Sequence, residues 1–230
     1  MHDAATVVYK TVLGRREVVN PISEQTPTEE LANVVTHAVG LICAGLSFII
    51  LVLWALQRSG IAHAVAVALF GVALIATYLT STLYHYAHDD ARKRALRVLD
   101  HMSIFGLIAG SYTPYVVLVL WDNDQARLLL QIVWVIAIAG ILGKYLFPNQ
   151  NEWISLAVYL GMGWLGAVAF ADLRVHISNL SFYFLVGGGL LYSVGVIFYR
   201  WNSLPFNHAI WHLFVMGASG CHVISVLALI

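Results

Sequence analysis

The chain has 230 residues, of which 60% are hydrophobic and only 10% charged, and its mean hydropathy is +0.80. A soluble domain would carry about 25% charged residues, so most side chains here must face lipid or one another. The net charge of +0 gives no reason to expect nucleic acid or an acidic polymer as partner. Cys43 and Cys221 both lie inside apolar runs, so a structural disulfide is not expected, and no zinc-ribbon spacing is present.

The first thirty residues are polar and mixed in charge, with no short apolar run behind basic residues, so no cleavable signal peptide is expected. Residues 1–30 read as a polar cytoplasmic segment and 31–230 as the membrane domain. Ala5 to Val19 could form a surface helix, although its apolar period is poor.

A membrane helix needs about 20 mostly apolar residues. Seven stretches qualify: Val34 to Leu56, Ile61 to His85, Asp100 to Leu120, Leu128 to Phe147, Trp153 to Ala171, Leu180 to Tyr199, and His208 to Ile230. The fifth is interrupted by Gly161 and Gly163. Short polar breaks separate the stretches, for example Gln57 to Gly60 and His88 to Arg94, so neighbouring helices must run antiparallel. The expected fold is therefore all-α, a polytopic seven-transmembrane helix bundle. Gly106 and Gly110 in the third span and Gly187 to Gly189 in the sixth are expected to let helices approach closely. Pro114 should kink the third span. Trp54, Trp121, Trp134, Trp153 and Trp201 fall near expected membrane edges, where aromatic belts account for them.

Basic residues set the orientation. Lys10, Arg15, Arg16, Arg92, Lys93, Arg94, Arg97, Lys144 and Arg200 fall on one side, and Arg58, Arg127 and Arg174 on the other. The richer side, with the N-terminus, is expected in the cytoplasm.

Ionisable groups in a bilayer are costly, which makes each a functional candidate. The span count places His85, Asp100, His208, His212 and His37 in one layer near the cytoplasmic side. His208 and His212 stand four apart and share a helix face. A third imidazole would complete a three-histidine site with an open fourth position, the arrangement of a catalytic zinc. His85 fits that place. Ser81 lies one turn deeper on the same face and could hydrogen-bond a water or a substrate oxygen. Asp100 has no cationic partner in its span and could act as a general base. A His-x-x-x-His pair also arises by accident of packing, and that reading stays open. His37, His88 and His101 read as interfacial residues, and His63 and His176 as solvated ones on the far face. His222 is too far along its helix to share a metal with His208, and either lines a cavity or bonds a neighbouring helix.

At these residues the chain resembles the hemolysin III family, the bacterial branch of the progestin and adipoQ receptor superfamily. The matching stretches are Glu30-Leu-Ala-Asn-Val-Val-Thr-His-Ala-Val-Gly40, Ser81-Thr-Leu-Tyr-His85, Leu99-Asp-His-Met-Ser-Ile-Phe105, Ala109-Gly-Ser-Tyr-Thr-Pro114, and Asn207-His-Ala-Ile-Trp-His-Leu-Phe214 with His222. The resemblance runs from about Glu29 to the end. It implies a seven-helix bundle in the bacterial inner membrane, with a cytoplasmic N-terminus and zinc held by His85, His208 and His212. It places Ser81 and Asp100 beside that zinc, Asp100 through water. The wider superfamily is similar to alkaline ceramidases, which implies a zinc-dependent hydrolase of a lipid amide or ester. The other readings are a membrane-homeostasis sensor with a structural zinc, a haemolysin-like pore, and a haem protein. Membrane lipid is the expected ligand or substrate.

Overall fold

The computed structural model describes residues 8–230. A short β-hairpin comes first, β1 (Tyr9–Val12) and β2 (Arg15–Val18), antiparallel with Tyr9 opposite Val18. The hairpin stands where a surface helix over Ala5 to Val19 was left open by the poor apolar period; residues 5–7 lie outside the described part. Its two-residue turn explains why. Leu13 and Gly14 both have positive φ, 50° and 75°, the backbone that joins two twisted strands tightly.

Eight helices follow: α1 (Pro27–Arg58), α2 (Ile61–Tyr86), α3 (Asp90–Leu118), α4 (Asp124–Leu146), α5 (Glu152–Trp164), α6 (Phe170–His176), α7 (Asn179–Arg200) and α8 (Asn207–Leu227). A 3-10 segment, Leu165–Ala169, joins α5 to α6. This is the stretch where Gly161 and Gly163 interrupt the apolar run. Among the described residues, six helical segments are long and apolar enough to cross a membrane, with α5 to α6 taken as one. α3 is not among them. It starts ten residues before the expected Asp100, because Asp89 caps it by accepting from the Arg92 amide. Arg92, Lys93, Arg94 and Arg97 thus belong to the helix rather than to a loop.

The bundle is more apolar outside than inside. On α1, Leu31, Val35, Val39, Ile42, Leu46, Ile49 and Leu53 are all exposed and recur at helical spacing. The buried positions of the same helix are Glu29, Asn33, His37, Gly40, Ala44, Leu51 and Ala55. Water would reverse that arrangement, whereas lipid tails favour it. The molecule is accordingly a helical membrane bundle. Consecutive helices α1 to α4 pack side by side, as do α7 and α8, and α1 closes against α8. Phe70, Leu74, Leu51 and Val133 fill the centre.

Two expectations about side chains change. Trp134 sits inside α4 rather than at an edge, and its indole N–H donates to Thr113 Oγ1 at 3.2 Å. Gly106 meets nothing within 4 Å of where a Cβ would be, so only Gly110 of that pair serves close packing, against Ala73 and Phe70. Cys43 and Cys221 are both free thiols.

The hairpin is fastened to the bundle. Val12 is fully buried. Lys10 Nζ reaches the buried Glu29 carboxylate at 2.5 Å and the Leu204 carbonyl at 3.5 Å. Glu29 also completes the capping box with Thr26 at the start of α1 and accepts from the Phe206 amide just before α8. Glu17 accepts from both the amide and the hydroxyl of Thr28.

Candidate metal centre

One end of the bundle gathers the start of α1, the end of α2 and the start of α8. There His85, His208 and His212 come together: one ring nitrogen from each lies within 4.8 Å of the other two. His208 and His212 share a face of α8, with ring centroids 4.6 Å apart. The His85 ring stands 4.9 Å from His208 and 5.1 Å from His212.

The neighbours of the rings decide which nitrogens are available. His85 Nδ1 lies 2.6 Å from a Glu30 oxygen. A carboxylate only accepts, so Nδ1 carries the proton and Nε2 presents a lone pair. That Nε2 is buried and has no partner in the protein. His212 Nδ1 lies 3.0 Å from Thr36 Oγ1. The Thr36 hydroxyl proton is directed at the backbone carbonyls of Ala32 and Asn33, so Oγ1 accepts from Nδ1–H. His212 Nε2 is then also a free donor of electrons. Carboxylate or oxygen partners of this kind orient histidines that ligate metals. Glu30 is itself held by Lys93, whose Nζ is 2.8 Å away and almost wholly buried, and which also donates to the Tyr84 carbonyl. The donor set fits a divalent cation that favours imidazole.

A cavity of ≈ 250 Å³ opens beside the cluster and runs between α3, α5, α7 and α8. Ser81 and Asp100 line it together with His208 and His212. The Ser81 hydroxyl lies 2.6 Å from His37 Nδ1.

His37 departs from expectation. It is buried rather than interfacial and stacks on His212, with centroids 3.4 Å apart and planes 14° from parallel. His101 is half-buried on the cavity wall, its Nδ1–H donating to the Arg97 carbonyl at 2.7 Å. His88 and His176 are exposed, whereas His63 is half-buried and donates to the Ser59 carbonyl at 2.7 Å. His222 lines the cavity, well away from the cluster.

Glu30 and Asn33 lie outside the first span that the sequence predicts from Val34, and Thr36, inside that span, carries no sequence signal of its pairing with His212. Yet Glu30, Asn33 and His37 recur at steps of three and four, a polar stripe on a helix whose other faces are apolar. That stripe was the available signal.

Comparison with known proteins follows this geometry. The model of the family described as "Haemolysin-III related" matches residues 25–223. The chain belongs to the hemolysin III family. Hemolysin-3 of Bacillus cereus is 41% identical over 199 residues, 86% of this chain and 90% of that protein. The Hemolysin-3 homolog of Bacillus subtilis (strain 168) is 40% identical over 202 residues, 88% and 94% of the two chains. The human monocyte to macrophage differentiation factor, of the progestin and adipoQ receptor group, is 26% identical over 237 aligned positions, covering 95% and 91%. The match to the hemolysin III family begins at Gln25, so it includes Glu30, Asn33 and His37 along with the three clustered histidines, and leaves out the hairpin.

Proposed function

We propose that this chain is a zinc-dependent hydrolase of a lipid amide or ester bond, set in the bacterial plasma membrane by seven spans with its N-terminus in the cytoplasm. α3 supplies the seventh span, its charged first half lying at the cytoplasmic surface. The nine basic residues grouped toward the N-terminal side support that orientation. The observation that carries the reading is the convergence of three imidazoles, two with outward-held Nδ1 protons, beside an apolar cavity whose wall holds His208, His212 and the Asp100 carboxylate.

His85, His208 and His212 would hold the ion, and Glu30 and Thr36 keep the rings turned toward it. Zinc so bound lowers the pKa of a water toward neutrality and polarises a carbonyl. Asp100 accepts the proton of the attacking water at its carboxylate. Ser81 donates a hydrogen bond to the carbonyl oxygen as that oxygen gains negative charge. The cavity walls take the acyl chain and exclude bulk water. The test is purified protein assayed with labelled ceramides and acyl lipids, before and after chelation, beside His212→Ala. Chelator-sensitive release of fatty acid that disappears in His212→Ala is expected, and release that survives metal loss would refute the reading.

A second reading has its own support. The cluster and its partners tie α1, α2 and α8 together, as a structural metal would, in a protein that senses or tunes the membrane. In that case chelation lowers Tm while no lipid is turned over. The relatives named Hemolysin-3 also raise a pore reading, which ion flux through liposomes carrying the pure protein would test.

A further inference from the structure

Three charged side chains meet on the wall of the cavity, at the end of the bundle where the basic residues gather. Arg97 comes from α3, Glu152 from the first turn of α5 and Arg200 from the last turn of α7. Both guanidiniums bond the same carboxylate: Arg97 Nη2 donates to Glu152 Oε1, and Arg200 Nη1 to Glu152 Oε2 at 3.2 Å. The Arg200 guanidinium also lies over the Trp153 ring, 4.4 Å from its centroid, which limits its freedom.

The charges do not balance. Among the described residues, Glu152 is the only carboxylate within ion-pair distance of either arginine, so two positive charges share one negative charge. A single Arg–Glu pair would neutralise itself and tie two helices without a second guanidinium. The arginine side chains are 40% and 28% exposed, so a ligand at the cavity mouth can reach them. Arginine has five N–H donors in a fork that suits carboxylates and phosphates, and the surplus charge is what an anion would neutralise.

This cluster stands close to the three histidines. Arg97 precedes Asp100 by three positions on α3, about 4.5 Å of helix rise. The ring of Tyr199, next to Arg200, lies 5.5 Å from that of His208. Further along α3 the cavity wall turns apolar, with Leu107, Ile108 and Val116.

We propose that the site takes an acyl amphiphile with an anionic group a few bonds from its carbonyl, of which the fatty-acid amide of an amino acid is the fitting class. The chain lies in the apolar part, the carbonyl at the histidine cluster, and the carboxylate on Arg97 and Arg200. In such an amide the carbonyl and carboxyl carbons are one extended residue apart, about 3.6 Å, comparable with the rise from Asp100 to Arg97. The inference rests on the lipid reading of the same site and names the substrate class. A clasp that merely ties α3, α5 and α7 together is the competing account.

The probes are N-oleoylglycine and N-oleoylethanolamine, which share chain and amide and differ in the carboxylate. Each displaces a fluorescent, uncharged acyl ethanolamide from the purified full chain in non-ionic detergent. Wild type is expected to bind the glycine conjugate about tenfold more tightly at low salt, the worth of one charge-assisted hydrogen bond, and less so at high salt. Arg97→Gln and Arg200→Gln each remove the surplus charge and should bring the ratio close to one, with ethanolamide binding within about twofold of wild type. Glu152→Gln frees both guanidiniums and should raise the ratio, which a clasp would not do. Arg58→Gln, at the far end of α1, should leave it unchanged. Wild type stripped of metal should keep the preference. Equal binding of the two amides by wild type overturns the proposal and leaves a clasp. A preference that survives both arginine variants but vanishes on metal removal also overturns it, since the carboxylate then sits on the ion. Displacement by acetate alone would make the site one for free anions and overturn the amphiphile. Failure of the hydrolase reading looks different: the preference is present while neither amide is cleaved.

Discussion

Glu30 and His85, fifty-five positions apart in sequence, meet at 2.6 Å across the contact between α1 and α2, carboxylate oxygen to Nδ1. The contact fixes the imidazole tautomer and its heading. Glu30→Gln should keep the fold and lower zinc affinity about 10- to 100-fold, because an amide holds the ring less firmly and no longer raises its basicity. Competition against a fluorescent chelator measures the change, and affinity within twofold of wild type would remove Glu30 from the site.

His85→Ala, His208→Ala and His212→Ala are each expected to purify without bound metal, whereas His101→Ala should keep it. The difference follows from placement. The first three rings converge, while His101 Nδ1–H is directed at the Arg97 carbonyl. Elemental analysis of the four variants beside wild type decides the matter. Metal retained in all four would show that the ion, if any, lies elsewhere.

Gly188→Ala should destabilise the bundle by about 1–3 kcal/mol, since the new methyl would meet the His222 ring at 2.3 Å. Adding His222→Ala to the same chain should recover much of that loss, because the two changes share one space. Thermal unfolding in detergent of the two single variants and the double gives the coupling. Additive losses would mean that the ring can move aside.

The hairpin latch should respond to acid. The Thr28 hydroxyl, then its amide, hold the Glu17 carboxyl below its ordinary pKa of 4.5. A carboxyl with a depressed folded pKa adds its stabilisation at neutral pH and loses it as the pH falls through that folded value. Limited proteolysis of the N-terminal segment should therefore accelerate only below about pH 4.5. Thr28→Val should produce the faster cleavage already at pH 7. A wild-type rate that is flat from pH 7 to pH 3 would show that Glu17 does not hold the hairpin.

The sequence by itself determined the solvent, the helical class and the shared face of His208 and His212 on α8. Sixty per cent hydrophobic residues in runs of membrane length leave few alternatives, and a pair of histidines four apart needs only helix geometry to share a face. Local rules also place His85 and Ser81 near the end of α2, whereas Asp100, expected to open its span, lies well inside α3. What they cannot give is lateral packing, because most of each span's surface is apolar and its preferred neighbour is set by contacts between distant segments. Only the tertiary structure brought the polar stripe of α1 against α2 and α8, which put Glu30 on His85, Thr36 on His212 and the His37 ring on the same histidine. It likewise set His222 opposite Gly188, turning an isolated histidine into a feature of a continuous cavity. The hairpin depended on the turn at Leu13 and Gly14, where positive φ at two successive residues outweighs any weak helical period in the strands around it.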